Sequence, residues 1–358
     1  MSRVRPIDDL LGAVSQNGSA PAEGTEMREP RIRFYTPGQL RDYEPRPDEV
    51  LVGDGHIMRG EVSTLGGEPG VGKSRATTAL AICGALARNW LGMGIACPFR
   101  TMIIQTENGR YRLRQEHLAI PEADREAIEG MVLISEPPPF GLTLNNLDFR
   151  EDLRAAMEKF APDLVVLDPW NSVAHDDKQK DYVEAFESIR GMLPTGAKRP
   201  ALLVVAHTRK PKPDEKRTGG TGMMHLLSGS YVVTSVPRSV LVMCRGSGDE
   251  ADNSVVLFNP KNNNGNLLKP SAWRRGEATF TPIPDFDWET FQAARAGRRT
   301  LTAEDVRSVL SDGPLARQEV VEKLVALAGV STRGAYNALG GRLAHLIGAA
   351  QGGKLCLK

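Results

Sequence analysis

Hydrophobic positions along this chain fall into two patterns. Through the middle of the sequence, short apolar blocks recur at Glu61–Leu65, Thr101–Glu107 (TMIIQTE), Met131–Ser135 (MVLIS), Asp163–Asp168 (DLVVLD) and Ala201–His207 (ALLVVAH). Between them lie stretches with helical spacing: the Ala- and Leu-rich Lys73–Ala87, then Leu147–Phe160 and Asp181–Met192. A run of four to seven β-branched and apolar residues with no polar alternation suits a strand buried on both faces. Strands of that kind separated by helices predict an α/β fold with a mostly parallel sheet. Two later blocks, Arg238–Arg245 and Ser254–Lys261, are separated by a connection too short for a crossover helix and predict an antiparallel pair.

The pattern changes at both ends. Residues 1–33 are rich in Ser, Gly, Pro and charge and read as a flexible arm, with a short helix expected at Ile7–Val14. The α/β domain spans 34–281, and 282–300 reads as a Pro- and charge-containing linker. After it come only short helical patterns. The first is Ala303–Ser311, with Thr302 as N-cap. A second opens at Pro314 and ends near Gly329, and Ser331 caps a third reaching about Ile347. The closing AAQGGKLCLK has the form of a hairpin, so 301–358 is expected to be a winged helix-turn-helix-like domain that binds DNA or a protein partner.

Bulk composition narrows the function classes. With 358 residues and a net charge of +1, no global field draws the protein to nucleic acid, so any such contact needs a local patch. Cys83, Cys97, Cys244 and Cys356 include no CxxC pair, which excludes a common zinc-site spacing and leaves reduced thiols as the expectation. No apolar run reaches membrane-spanning length and the amino-terminal stretch has no leader pattern, so a cytoplasmic location and no membrane partner are expected.

The chemistry concentrates at GGEPGVGKS, Gly66–Ser74. Gly67-Glu68-Pro69-Gly70-Val71-Gly72-Lys73-Ser74 fits GxxxxGK[ST], the phosphate-binding loop, with a strand before it and a helix after it. Its glycines let backbone N–H groups turn inward to phosphate oxygens, and the following helix points its positive end to the same place. Lys73 is the candidate for the β- and γ-phosphates of ATP, Ser74 for Mg²⁺, and Arg75 continues the nucleotide-binding stretch. Asp168 ends the run LVVLD and is the candidate second metal ligand. Glu107 ends TMIIQTE at the carboxyl edge of its strand, where a carboxylate can orient or deprotonate water. His207 ends ALLVVAH and is placed to sense the γ-phosphate.

Two features make this set resemble the RecA/DnaB-type P-loop core. The candidate catalytic carboxylate lies on its own strand between the loop and Asp168, and is not adjacent to Asp168. The segments DPWNSVAHDDKQKDYVEAFESIR…ALLVVAHTRK and SGSYVVTSVPRSVLVMCR…NPKNNNGN are similar to those of RepA-like plasmid and phage helicases, over roughly Phe34 to Leu268. The resemblance implies a ring-forming, hexameric ATPase acting on single-stranded DNA, with ATP between subunits and a cation supplied by the neighbour. KNNNG (Lys261–Gly265) is similar to the Lys-x-Arg-Asn-Gly stretch of DnaB-type helicases. Lys261 keeps the lysine, but Asn263 stands where an arginine finger is expected and carries no charge, which leaves Arg217 and Arg238 as alternatives. The loop after ALLVVAH holds Arg209, Lys210, Lys212, Lys216 and Arg217 and falls where the family's second DNA loop lies, so these cations are candidate contacts to single-stranded DNA. The reading that follows is an ATP- and Mg²⁺-dependent DNA helicase of a plasmid, phage or mobile element, with a replication-initiation partner reached through the C-terminal domain. The alternatives are an ATP-switched DNA-binding regulator and a recombinase-like filament.

Overall fold

The computed structural model describes residues 34–139, 141–142, 144, 146–173, 179–196, 198–208, 220–227, 232–247, 249, 251–295 and 301–358. The chain divides into two compact units, residues 1–46 and 47–358. In the first, Pro37–Arg41 is a short helix opened by a capping box, with the Thr36 hydroxyl accepting from the Gln39 amide and the Gln39 side chain accepting from the Thr36 amide. The helix expected at Ile7–Val14 lies outside the described residues.

The second unit is built on a nine-stranded sheet. In chain order the strands are β1 (Val50–Val52), β2 (Ile57–Met58), β3 (Val62–Gly67), β4 (Thr101–Gln105), β5 (Val132–Ile134), β6 (Leu164–Asp168), β7 (Ala201–His207), β8 (Ser239–Arg245), β9 (Ser254–Asn262), β10 (Ser271–Arg275), β11 (Phe280–Pro282), β12 (Ile347–Ala349) and β13 (Leu355–Leu357). The main sheet runs β11-β10-β9-β8-β3-β7-β6-β4-β5, while β1–β2 and β12–β13 form separate hairpins. From β8 to β5 the strands are parallel, and from β8 to β11 they are antiparallel.

Alternate residues along the strands feed two cores, as the two-residue strand period requires. Val165, Leu167, Leu202 and Val204 pack on one face with Met157, Tyr182, Phe186 and Ile189 of the helices Leu147–Phe160 and Gln179–Met192. Leu164, Val166, Leu203 and Val205 pack on the other with Ala76 and Leu80 of the helix Lys73–Ala85, and with Trp90. Every residue of β3, β4 and β6 is buried, so these runs carry no polar alternation. In the strand order the chain passes from β3 toward one edge of the sheet to reach β4, and from β7 toward the other edge to reach β8. In sheets of this kind ligands bind beside such a change of direction, at the carboxyl ends of the strands.

Several expected boundaries shift. Gly66 and Gly67 belong to β3 rather than to the loop. A Cβ on Gly67 would lie 2.6 Å from the Met243 carbonyl oxygen, so the strand needs glycine there for close approach to β8. The 282–300 segment is not merely a linker: it holds the helix Trp288–Arg295, whose Phe291 is buried against Phe258 of β9 and against Phe286 of the same segment. The strands β10 and β11 extend the sheet beyond the expected pair.

In 301–358, helices run Ala303–Leu310, Arg317–Ala328 and Thr332–Gly340, around a core of their own that includes Val306, Leu310, Val320, Leu324 and Leu339. Thr302 forms the expected N-cap, with a capping box to Asp305. The second helix begins at Arg317, later than Pro314, because Leu315 first pairs in extended form with Leu355. The third stops at Gly340, short of Ile347, where Gly341 leaves helical geometry. Among the described residues, no helix is long and apolar enough to cross a membrane.

Candidate nucleotide site

Register brings four strand ends to one edge. Gly67 of β3 pairs with His207 of β7 and with Met243 of β8, and Asp168 of β6 pairs with Gln105 of β4. The loop leaves β3 at this edge. Gly70 (φ 72°) and Gly72 (φ 98°) adopt the left-handed region that residues with a Cβ rarely enter. Helix Lys73–Ala85 starts immediately after, with Gly72 as its N-cap. Val71 is buried in the core and pins the loop from beneath, and its amide donates to the Glu68 carbonyl.

Lys73 is 5% exposed. Its ammonium donates to the carbonyl oxygens of Gly67 (3.0 Å) and Glu68 (3.0 Å) and lies 3.1 Å from Nδ1 of His207. Burial lowers its pKa to about 8, against the opposing charges of Asp168, Glu107 and Glu68. The Asp168 carboxylate accepts from the Ser74 hydroxyl. Burial lifts the Asp168 pKa to about 6; the Ser74 hydrogen bond and Lys73 oppose that rise, and Glu107 and Glu116 add to it.

Glu107 sits two residues beyond the end of β4 and is partly exposed. Its carboxylate lies 3.8 Å from Nε2 of His207. The imidazole therefore bridges Lys73 and Glu107. Burial, then the adjacent Lys73 ammonium, hold its pKa below the ordinary histidine value. With Lys73 donating to Nδ1, the neutral ring carries its proton on Nε2, facing Glu107.

Several supports carry no sequence motif. Gln105 is buried, and its Oε1 accepts from the amides of Glu107 and Asn108 while its Nε2 donates to the carbonyls of Asn108 and Ser135. It thus fixes the turn that carries Glu107. Asn171 accepts from the His207 amide through Oδ1 at 3.3 Å. Arg275 of β10 donates to the Gly70 carbonyl at 2.5 Å and to Asn253 Oδ1 at 2.9 Å, and a Cβ on Gly72 would meet its Cδ.

The remaining candidates separate. Arg75 turns to Glu277 (3.2 Å) and Glu116 (4.0 Å) on the flank of the loop helix. Lys261 and Arg238 lie at the other end of β8: Lys261 pairs with Val240, and the Arg238 amide donates to the Val62 carbonyl at the start of β3. That end is roughly 13 Å along the strand from Gly67, so neither reaches the loop of its own chain. The Lys261 ammonium donates to the Thr234 (2.9 Å) and Ser235 (3.2 Å) carbonyls that close the helix Val232–Ser235, and burial and Arg238 lower its pKa. Arg209, Lys210, Lys212, Lys216 and Arg217 lie outside the described residues.

The donor set fits a magnesium ion. Among the described residues, no cluster of three His, Cys, Asp or Glu forms an all-protein metal cage. Mg²⁺ is instead commonly held through one or two carboxylates, retained waters and substrate phosphates, and the buried Asp168 carboxylate with the half-buried Ser74 hydroxyl beside the loop offers that arrangement.

A family profile described as AAA domain (AAA_25) matches residues 27–213, just over half of the chain. Among solved structures, the KaiC-like protein PH0186 from the hyperthermophilic archaeon Pyrococcus horikoshii OT3 is similar at 15% identity and a TM-score of 0.45, over 66% of this chain and 94% of that one. Comparison with curated proteins gives no match. With the profile spanning the loop, Glu107, Asp168 and His207, the chain belongs to the AAA_25 family and is a RecA/DnaB-type P-loop ATPase.

Proposed function

We propose that this protein is an ATP- and Mg²⁺-dependent, ring-forming motor on single-stranded DNA, a RepA-like DNA helicase. The observation that carries the reading is the convergence of Lys73, Ser74, Asp168, Glu107 and His207 on one sheet edge. In this reading Lys73 binds the β- and γ-phosphates, and the loop amides enclose them. Ser74 and Asp168 hold the magnesium, which when bound neutralises phosphate charge. Glu107 orients and deprotonates the attacking water, and His207 relays the occupancy of the phosphate site to Glu107. Lys261 and an arginine act on a neighbouring subunit's nucleotide, in keeping with their distance from the loop of their own chain.

The test is unwinding of a forked duplex with ATP by wild type and by Lys73→Ala, with particle mass measured in parallel. Strand displacement by wild-type hexamers and none by the variant is the expected result. Normal ATP turnover with no displacement under any loading condition would sink the helicase reading. An ATP-switched DNA-binding regulator is the second reading, favoured by the uncharged Asn263 and by a Lys261 ammonium already held by two carbonyls. ATP-dependent change in affinity for one duplex sequence, without displacement, would select it.

The site also predicts a pH dependence. Asp168 must be ionised to hold metal, and its pKa of about 6 sets the acid limb. Lys73 must keep its proton, and its pKa of about 8 sets the alkaline limb. The ratio kcat/KM for ATP, which reports the free enzyme, is expected to be bell-shaped, falling below pH about 6 and above about 8. A flat profile across that range would contradict the assigned roles.

A further inference from the structure

The two helices Arg317–Ala328 and Thr332–Gly340 are joined by Gly329-Val330-Ser331. Gly329 closes the first in the left-handed region (φ 64°), and the Ser331 hydroxyl caps the second by accepting from the Gly334 amide. A three-residue turn containing glycine between two packed helices is the geometry of a helix-turn-helix. The second helix buries Ala335 and Leu339 and leaves Arg333, Tyr336 and Asn337 exposed. The β12–β13 hairpin follows, with exposed Lys354 beside its Gly352–Gly353 tip.

Charge is divided sharply within this region. Residues 331–358 contain Arg333, Arg342, Lys354 and Lys358 and no Asp or Glu. The acids of 301–358 (Glu304, Asp305, Asp312, Glu319, Glu322) all precede them. The carboxylates that do meet this half come from the main body. Glu289 Oε2 accepts from Asn337 Nδ2 at 2.7 Å, and Asp287 Oδ2 lies 3.4 Å from Arg342 Nε, which also donates to Thr290 Oγ1. These acids sit at the start of the helix Trp288–Arg295, which Phe291 anchors in the main core.

We propose that residues 301–358 read duplex DNA, with helix Thr332–Gly340 in the major groove and Lys354 on the backbone, and that Glu289 and Asp287 mask the reading face until DNA displaces them. An acid-free, cationic face complements the phosphate backbone. Asn337 has the amide that pairs bidentately with adenine, and Arg333 the guanidinium that pairs with guanine or phosphate. The Glu289 contact occupies the Asn337 amide, so the apparent affinity is reduced by the fraction of molecules in which that contact is closed. This inference is independent of the single-stranded-DNA reading, because it concerns duplex recognition by a separate group of helices.

The test is fluorescence anisotropy of the full chain with a labelled duplex selected from a random-sequence pool, over a salt titration. Wild type is expected to bind the selected duplex in a steeply salt-dependent way. The double variant Arg333→Ala with Lys354→Ala should lose about tenfold or more in affinity with ATP turnover in the absence of DNA unchanged. Glu289→Ala should gain about threefold to tenfold, and Asn337→Ala should lose preference at a selected adenine. No duplex binding by wild type, wild-type affinity in the double variant, or no gain on Glu289→Ala would each overturn the proposal as stated. Both surface changes involve exposed side chains, so loss of fold does not compete as an explanation.

Discussion

Replacing Lys73 with methionine is expected to reduce ATP turnover by about 10²–10³-fold or more and to weaken ATP binding, with the fold intact. The magnitude follows from removing a positive donor where charge develops on transferred phosphate. The control follows from burial. Burial depresses the Lys73 pKa from 10.5 to about 8, so the folded state disfavours its charged form. That cost is present below pH about 8 and is relieved as pH rises toward the unfolded value. An isosteric apolar side chain should therefore leave the apo melting temperature at pH 7 unchanged or raised. Near-normal turnover in a folded variant would remove Lys73 from the mechanism. A lower melting temperature would show that its bonds to Gly67 and Glu68 outweigh the desolvation. The two measurements separate the chemical role from the structural one.

Glu107→Gln should give the second large effect, a fall in turnover of about 10²–10⁴-fold with ATP affinity retained. The amide keeps the shape and leaves the Gln105 bonds to the loop in place, because these use backbone amides of residues 107 and 108. It lacks the charge needed to take a proton from water. Equilibrium binding of a labelled nucleotide together with single-turnover hydrolysis would separate the two quantities. Equal loss of binding and turnover would mean that Glu107 shapes the pocket rather than acting on water. Turnover at the wild-type rate would move the catalytic role to another group.

The parallel half of the sheet and the phosphate loop were legible because each rests on a local signal. β6 and β7 are uninterrupted apolar runs ending in Asp168 and His207, and the loop has a fixed spacing of glycines before Lys73. The contacts that assemble the site were not legible, because they depend on register between strands distant in sequence. Nothing local in TMIIQTE marks Gln105 as the residue that holds Glu107, since its side-chain amide is also tied to the Ser135 carbonyl, 30 residues on and just past the neighbouring β5. Arg275 carries no such signal, because β10, Ser271–Arg275, is short, half-exposed and holds two arginines, so it lacks the apolar pattern of a buried strand. The same reason explains the helix Trp288–Arg295: its anchor is the aromatic group Phe286, Trp288 and Phe291, embedded in a segment whose prolines and charges suggest a linker.

The three N–H bonds of the Lys73 ammonium face three acceptors of the same chain: two carbonyl oxygens and an imidazole nitrogen. An incoming phosphate therefore evicts incumbents rather than filling idle donors, and only the difference between the old and new partners counts toward affinity. Weakly charged anions have little advantage over those incumbents, whereas a triphosphate presents several charged oxygens at once. By that arithmetic monoanions should compete poorly with ATP for the loop, which a competition titration with chloride or nitrate would show.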